Sequence, residues 1–187
     1  MRKATHNAVA KGSVKAKPNG ISWTQHTNNA INGCTKVSEG CKNCYALTTT
    51  NRFAHNPLRT DYSELVKPGP RWSNKIRYAP ERLDDILENR TPTIYFMNSM
   101  SDVFHENVET DYILRVFETM NLAPHHLYQM LTKRPERMVA LDSQLPWPKT
   151  LIMGVSIELD KYTGRADLLR QVGAHHKFLS LEPLLGP

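Results

Sequence analysis

A chain of 187 residues, 40% apolar and 22% charged, can bury one ordinary core and is too short for two large ones. No apolar run approaches the roughly eighteen residues a membrane span needs, and the basic first twenty positions have no apolar centre, so the expectation is a cytoplasmic protein with neither a membrane partner nor a secretory signal. The net charge of +6 excludes little, because Arg2, Lys3, Lys11, Lys15 and Lys17 supply five of those charges and leave the body nearly neutral.

In chain order, residues 1–20 mix Lys, Ala, Asn, Gly and Pro without periodicity and read as a flexible basic N-terminal tail. Such a tail is either a solvated lead-in or a nucleic-acid-binding arm, and it has no aromatic residue to stack on bases. The folded body is expected over 21–187. Residues 21–27 suit a short, polar first strand containing Trp23, Thr24 and Thr27.

The sequence Asn-Gly-Cys-Thr-Lys-Val-Ser-Glu-Gly-Cys-Lys-Asn-Cys-Tyr-Ala follows at 32–46. Cys34, Cys41 and Cys44 cannot all pair with one another, and their confinement to one short stretch is unlike a disulfide framework. The spacing Cys-x6-Cys-x2-Cys, with Gly33 and Gly40 each preceding a thiol, points to a tight loop around a metal group. Three thiolates can hold three irons of a 4Fe-4S cluster and leave the fourth iron open for an exchangeable ligand. Zinc with three cysteines and His26 or His55 is the competing assignment. Tyr45 opens a helix over 45–54, as a core aromatic or as a ring packed beside a cluster or an adenine.

Residues 56–92 carry Pro57, Pro68, Pro70 and Pro80 and read as an insertion covering one side of the site, helical only over 80–90. Beyond it, short apolar runs at 93–97, 126–131, 151–157 and 177–181 suit strands buried on both faces. Helical stripes lie between them: Ile113, Val116, Phe117 and Met120 within 108–122, and Leu168, Leu169 and Val172 within 161–172. Strands recurring about every 25 to 33 residues with helices between them predict right-handed parallel crossovers. The fold class is therefore α/β, a partial parallel (β/α) barrel. A complete barrel takes about 250 residues, and this chain stops directly after a strand, so the sequence is expected to be truncated at the C-terminus or to pair its last strand with another chain.

In such a barrel chemistry sits at the C-terminal strand ends. The polar residues there are Asn98, Ser99, Asp102, His105 and Glu106, then Thr132, Lys133, Arg134 and Arg137, then Ser156 and Glu158, and finally Glu182. Asp102 and Thr132 could each cap a local turn or helix, and Arg137 could be a surface residue. Together, the amides, hydroxyls and carboxylates suit a nucleotide-like cofactor, while Lys133 and Arg134 suit a carboxylate or an anionic substrate.

The stretch from Ile-Ser-Trp-Thr at 21–24 through the cysteines resembles an uncharacterised bacteriophage-associated three-cysteine family. So do Pro-Glu-Arg-Leu at 80–83, Asn-Ser-Met-Ser-Asp-Val-Phe-His-Glu at 98–106, Leu-Thr-Lys-Arg-Pro-Glu-Arg-Met at 131–138, Gly-Val-Ser-Ile-Glu at 154–158 and Leu-Ser-Leu-Glu-Pro at 179–183. That family in turn resembles the radical S-adenosylmethionine enzymes of the spore photoproduct lyase type, through Cys-Lys-Asn-Cys-Tyr-Ala at 41–46, Leu-Thr-Lys at 131–133 and Gly-Val-Ser-Ile at 154–157. It departs from them in its first cysteine gap, six residues rather than three, and in Asn43, where an aromatic commonly stands.

The resemblance implies a radical S-adenosylmethionine barrel in which Cys34, Cys41 and Cys44 hold the 4Fe-4S cluster. S-adenosylmethionine would lie against Tyr45, Asn98, Ser99, Asp102, Ser156 and Glu158, with Lys133, Arg134, His105 and Glu182 facing the substrate. It also implies a flavodoxin-like or ferredoxin-like electron donor and a nucleotide or nucleic-acid substrate. The alternative from another class is a non-catalytic, zinc-stabilised module that binds nucleic acid through its basic tail.

Overall fold

The computed structural model describes residues 21, 23–56 and 60–186, so the expected basic tail lies outside the described residues. The elements are β1 (His26–Asn28), β2 (Ile31–Asn32), α1 (Tyr45–Ala54), β3 (Val66–Lys67), β4 (Arg71–Trp72), β5 (Arg77–Tyr78), α2 (Glu81–Glu88), β6 (Ile94–Met97), α3 (Thr110–Leu122), β7 (Leu127–Thr132), α4 (Pro135–Leu141), β8 (Leu151–Ser156), α5 (Gly164–Gln171) and β9 (His176–Ser180). Among the described residues no helix is long and apolar enough to cross a membrane.

Five strands form one sheet in the order β1-β6-β7-β8-β9, with every neighbouring pair parallel. A parallel pair needs a crossover, and helices α3, α4 and α5 supply the three that link β6 to β9. The register aligns Met97 with Met130 and Met130 with Met153, all buried, so the middle of the sheet is apolar from strand to strand. Ile113, Val116, Phe117 and Met120 of α3 pack into that core as the helical stripe predicts. In α5, Leu169 is buried, but the same face also buries Arg165, which a hydrophobic pattern does not anticipate. The result is a mixed α/β fold whose five-stranded parallel sheet is flanked by helices.

The first strand is shorter and later than expected, running over 26–28 rather than 21–27. Thr24 sits in a turn whose amide reaches the Ile21 carbonyl, and its hydroxyl donates to the carbonyls of His26 and Ile94, which takes it out of the ladder. The segment expected as an insertion does contain one α-helix, α2, but its remainder adds small sheets. β3 and β4 form a hairpin, while β5 pairs antiparallel with β2, aligning Ile31 with Tyr78 and Asn32 with Arg77. This pairing fastens the 60–80 region to the approach of the cysteine loop.

At the opposite, N-terminal end of the sheet His126 is fully buried beside Tyr95 and Tyr128. Its Nδ1 accepts from the Thr93 amide at 3.2 Å, which leaves the proton on Nε2 to donate to the Ile86 carbonyl at 3.2 Å. Burial lowers its pKa from the ordinary 6.5. The folded chain therefore keeps a neutral imidazole at a pH where the unfolded chain takes up a proton, so this contribution is present above pH ~6.5 and lost as the pH falls. The urea midpoint should drop between about pH 7.5 and 5.5, by no more than about 1.4 kcal/mol per pH unit for each such histidine. The slope should be shallower in His126→Asn; an identical slope would remove His126 as its source.

Candidate functional site

The cysteine loop leaves the sheet through Gly33, which bridges to Ser101 just past β6. Its φ of +96° is closed to most side chains, and a Cβ there would lie 2.3 Å from the Lys75 carbonyl oxygen. Cys34 follows directly, Cys41 ends a 3-10 turn (Glu39–Cys41), and Cys44 is the N-cap of α1. All three are partly buried and line one cavity of about 640 Å³.

The opposite wall comes from the C-terminal strand ends. Asn98, Ser99, Ser101 and Asp102 follow β6, Thr132, Lys133 and Arg134 end β7, Ser156 ends β8, and Ser180 with Glu182 ends β9. Tyr45, Asn98, Ser99, Asp102, Lys133, Arg134, Ser156 and Glu182, all expected from the sequence, therefore share one cavity with the three cysteines. His105 and Glu158 do not line it; both lie behind the loop.

Arg134 is the centre of the first supporting network. Only 8% exposed, it donates from Nε to Glu106 at 3.0 Å and from Nη2 to the Thr35 carbonyl at 3.2 Å and hydroxyl at 2.7 Å. Its Nη1 lies 3.3 Å from Asp102 Oδ2 and 3.8 Å from Cys34 Sγ. Although it borders the cavity, its donors are committed to the protein, so this side chain seats the loop rather than meeting a substrate carboxylate. Asp102 is held in turn by the Phe104 and Lys133 amides and by the Thr132 hydroxyl at 2.8 Å. Thr132 also accepts from the Arg134 amide at 2.9 Å in the turn before α4, whose N-cap is Arg134, so it shapes that turn without capping the helix.

His105 is fully buried. Its Nδ1 accepts from the Asn107 amide at 3.0 Å, which puts the proton on Nε2 facing the Thr35 hydroxyl at 3.0 Å. Thr35 passes its own proton toward Glu106 at 3.1 Å, so each donor in the network has an acceptor. Burial and the Arg134 charge lower the His105 pKa, whereas the Glu106 carboxyl, despite its desolvation, is held down to about 2 by its own backbone amide and Arg134. Burial pushes the Cys34 thiol up to about 12 against the pull of Arg134. Arg137, read as a surface residue, instead donates to the His105 and Val108 carbonyls.

Glu158 anchors the other end of the loop. It is fully buried, pairs with Arg165 at 2.6 Å and accepts from the Ser38 hydroxyl. A Cβ on Gly40 would lie 2.4 Å from the Glu158 side chain, so glycine is required there for close approach rather than for its φ. Arg165 also donates to the Ser156 carbonyl at 2.6 Å. Sequence reasoning missed Arg165, Thr35 and Ser38 as supports: a lone arginine on an amphipathic helix and two loop hydroxyls carry no pattern.

Two properties of the cavity suit a bound group. The Asn98 Nδ2 and Ser101 Oγ atoms are buried without a protein partner, and both residues line the cavity. Trp23, Trp72 and Phe96 supply an apolar wall. Neither His26, on β1, nor His55, at the end of α1, lines the cavity, which removes the two expected zinc partners from the site. Among the described residues, no three His, Cys, Asp or Glu side chains are grouped tightly enough for a single metal ion. A cluster places each thiolate on a different iron, a wider arrangement than one shared ion demands.

Removing one partner of the buried Glu158–Arg165 pair leaves an uncompensated charge, so Glu158→Gln should cost about 3 to 5 kcal/mol in urea unfolding. Gly40→Ala disturbs the same contact, and the double variant should lose clearly less than the two single losses combined. Additive losses would separate Gly40 from Glu158.

A family model described as a protein of unknown function matches residues 18–187. No curated protein and no solved structure matches the chain.

Proposed function

Because the chain belongs to the DUF5131 family, whose description states no function, its role has to come from the cysteine cavity, and we propose that Cys34, Cys41 and Cys44 hold an iron–sulfur cluster for radical S-adenosylmethionine chemistry. The observation that carries this is the opening of three thiols from one loop into a single cavity at the C-terminal ends of parallel strands. In a partial barrel of the radical S-adenosylmethionine type, that edge is where chemistry belongs. When bound, a 4Fe-4S cluster with S-adenosylmethionine on its open iron supplies one-electron cleavage to a 5′-deoxyadenosyl radical that takes hydrogen from a substrate, using an electron from a flavodoxin-like or ferredoxin-like donor.

The chain's own residues bind, orient and exclude water. Arg134, Asp102 and Thr35 hold Cys34 at the end of β7, while Glu158 and Ser38 hold the turn that carries Cys41. With its thiol pushed up to about 12, Cys34 keeps its proton until a cation displaces it, which makes loading proton-coupled. Asn98 Nδ2 and the hydroxyls of Ser99, Ser101 and Ser156 offer hydrogen bonds to the amino acid and ribose portions of the cofactor. Lys133 and Glu182, which border the cavity, stand on the substrate side. Trp23, Trp72 and Phe96 keep water from the reacting atoms. His105 and Glu158 act by positioning, not by touching cofactor.

Anaerobic reconstitution should give a brown protein with about four irons and four sulfides per chain and should yield 5′-deoxyadenosine from S-adenosylmethionine after reduction. The Cys34→Ala, Cys41→Ala and Cys44→Ala variants should each lose most of that iron. Equal iron in wild type and the triple variant, or one colourless zinc per chain, would overturn the assignment.

A further inference from the structure

Four cations border the cysteine cavity without taking part in the networks that hold its loop. Lys36 stands between Thr35 and Val37, Lys42 between Cys41 and Asn43, and Arg71 beside Trp72, so each is next to residues that line the cavity. All three are exposed, as is Lys67. The Lys36 ammonium donates to the Lys42 carbonyl at 3.1 Å, which holds one charge against the residue that carries another.

Lys67 and Arg71 are brought together by the β3–β4 hairpin. Its register sets them directly opposite one another across Pro68, Gly69 and Pro70, while the neighbouring pair, Val66 and Trp72, packs with Ala46 and Leu47 of α1 and with Cys34 and Cys44. Strand alternation then turns Lys67 and Arg71 outward. Like charges directly opposite in an antiparallel pair repel, so the hairpin gains nothing from them by itself, whereas a polyanion lying across both removes the repulsion.

Nearby carboxylates do not neutralise these charges. Glu39 is taken by Lys161 and Tyr162, Glu64 by Lys75 at 2.6 Å, and Glu106 and Asp102 by Arg134. Among the described residues Lys36, Lys42, Lys67 and Arg71 have no ion-pair partner, and neither has Lys133 inside the cavity, where Glu182 is the one unpaired carboxylate. Beside them Tyr45 presents a ring that is 56% exposed, its hydroxyl fixed on the Ser99 carbonyl at 2.7 Å, and among the described residues no other ring or cation packs on its face. An acidic polypeptide would satisfy the cations and leave the ring unused. A single-stranded nucleic acid uses both, since its phosphates meet cations and its unstacked bases meet aromatic faces.

We propose that this rim binds a single-stranded nucleic acid, its phosphates on Lys36, Lys42, Lys67 and Arg71 and a base on Tyr45 at the entrance to the cysteine cavity. That the strand is the substrate rests on the radical-enzyme reading; its binding needs no cluster. DNA and RNA strands share these phosphates and bases, so both are sources of the ligand.

Fluorescence anisotropy of the full chain, prepared without iron, with labelled oligothymidylate and oligouridylate over a salt series tests the surface. Saturable binding that weakens as salt rises is expected, and the tighter of the two strands names the source. Each phosphate contact on a single strand contributes about 0.7 to the slope of log affinity against log salt, so Lys36→Gln, Lys42→Gln, Lys67→Gln and Arg71→Gln together should flatten that slope by about 3 and weaken binding at least about tenfold. The combination without Lys36→Gln, which keeps the hydrogen bond inside the loop, should flatten it by about 2 and serves where the fourfold variant does not fold. Tyr45→Leu should weaken binding about fivefold or more at an unchanged slope, which separates a stacked base from a lost charge. Absence of saturable binding, an unchanged slope in the cation variants, which would move binding to the cations of residues 1–20, an unaffected Tyr45→Leu, tighter binding of the matching duplex, or equal binding of polyglutamate would each overturn the proposal. Iron uptake separates the two ideas: strand binding by a chain that takes up no iron keeps this surface and discards the cluster, and iron uptake without strand binding does the reverse.

Discussion

Arg134 joins three pieces of chain that are distant in sequence: the end of β6 through Asp102 and Glu106, the end of β7 on which it stands, and the cysteine loop through Thr35 and Cys34. Its guanidinium is almost wholly buried, so removing water from it is tolerable only because five donors in a fixed fork find acceptors. Every neighbour is constrained in turn. Asp102 must keep Oδ2 toward the guanidinium, His105 must keep its proton on Nε2, and Thr35 must point its hydroxyl at Glu106. A loop of mixed polar residues thereby takes one position against the sheet.

The second clamp is built from different elements on the same principle. Glu158 beyond β8 and Arg165 on α5 form a buried pair that has one further acceptor site, and Ser38 of the loop takes it. Gly33 and Gly40 are the steric counterparts of these electrostatic ties. One admits the Lys75 carbonyl and the other admits Glu158 to distances at which any Cβ would collide. The loop is thus fixed near both ends while its three thiols remain turned to the cavity. Such rigidity matters for a group bound by three ligands, because ligand geometry set in advance is not reorganised on binding.

A second cavity of about 660 Å³ shares Ile21, Tyr45 and Ser99 with the cysteine cavity, and the two differ in kind. Around the cysteines lie serines, an orphaned amide and indole rings; across Tyr45 lie two guanidinium groups and aromatic edges. The segment 60–80 supplies part of the second cavity's wall, since β5 seats Arg77 and the 3-10 turn before β3 seats Tyr62 against α1. A region that interrupts the strand–helix rhythm therefore shapes the site as much as the sheet does.

The parallel sheet was legible because its strands leave short apolar runs and the intervening stripes of α3 and α5 repeat with the helical period, although the last strand, β9, expected to be buried on both faces, is largely exposed at the sheet edge. The cysteines and strand-end residues were legible too, since a (β/α) rhythm assigns polar residues after each run to one rim; eight of the twelve strand-end residues expected there line the cavity. Hidden in the sequence was the division of labour among them. That Arg134 and Glu158 serve the loop, that Arg165 is buried, and that β5 brings Arg77 beside Tyr62 are outcomes of contacts between residues far apart in the chain. Local pattern encodes which face of an element is apolar, but the partner of a charge is chosen only when the sheet, the helices and the loop close on one another.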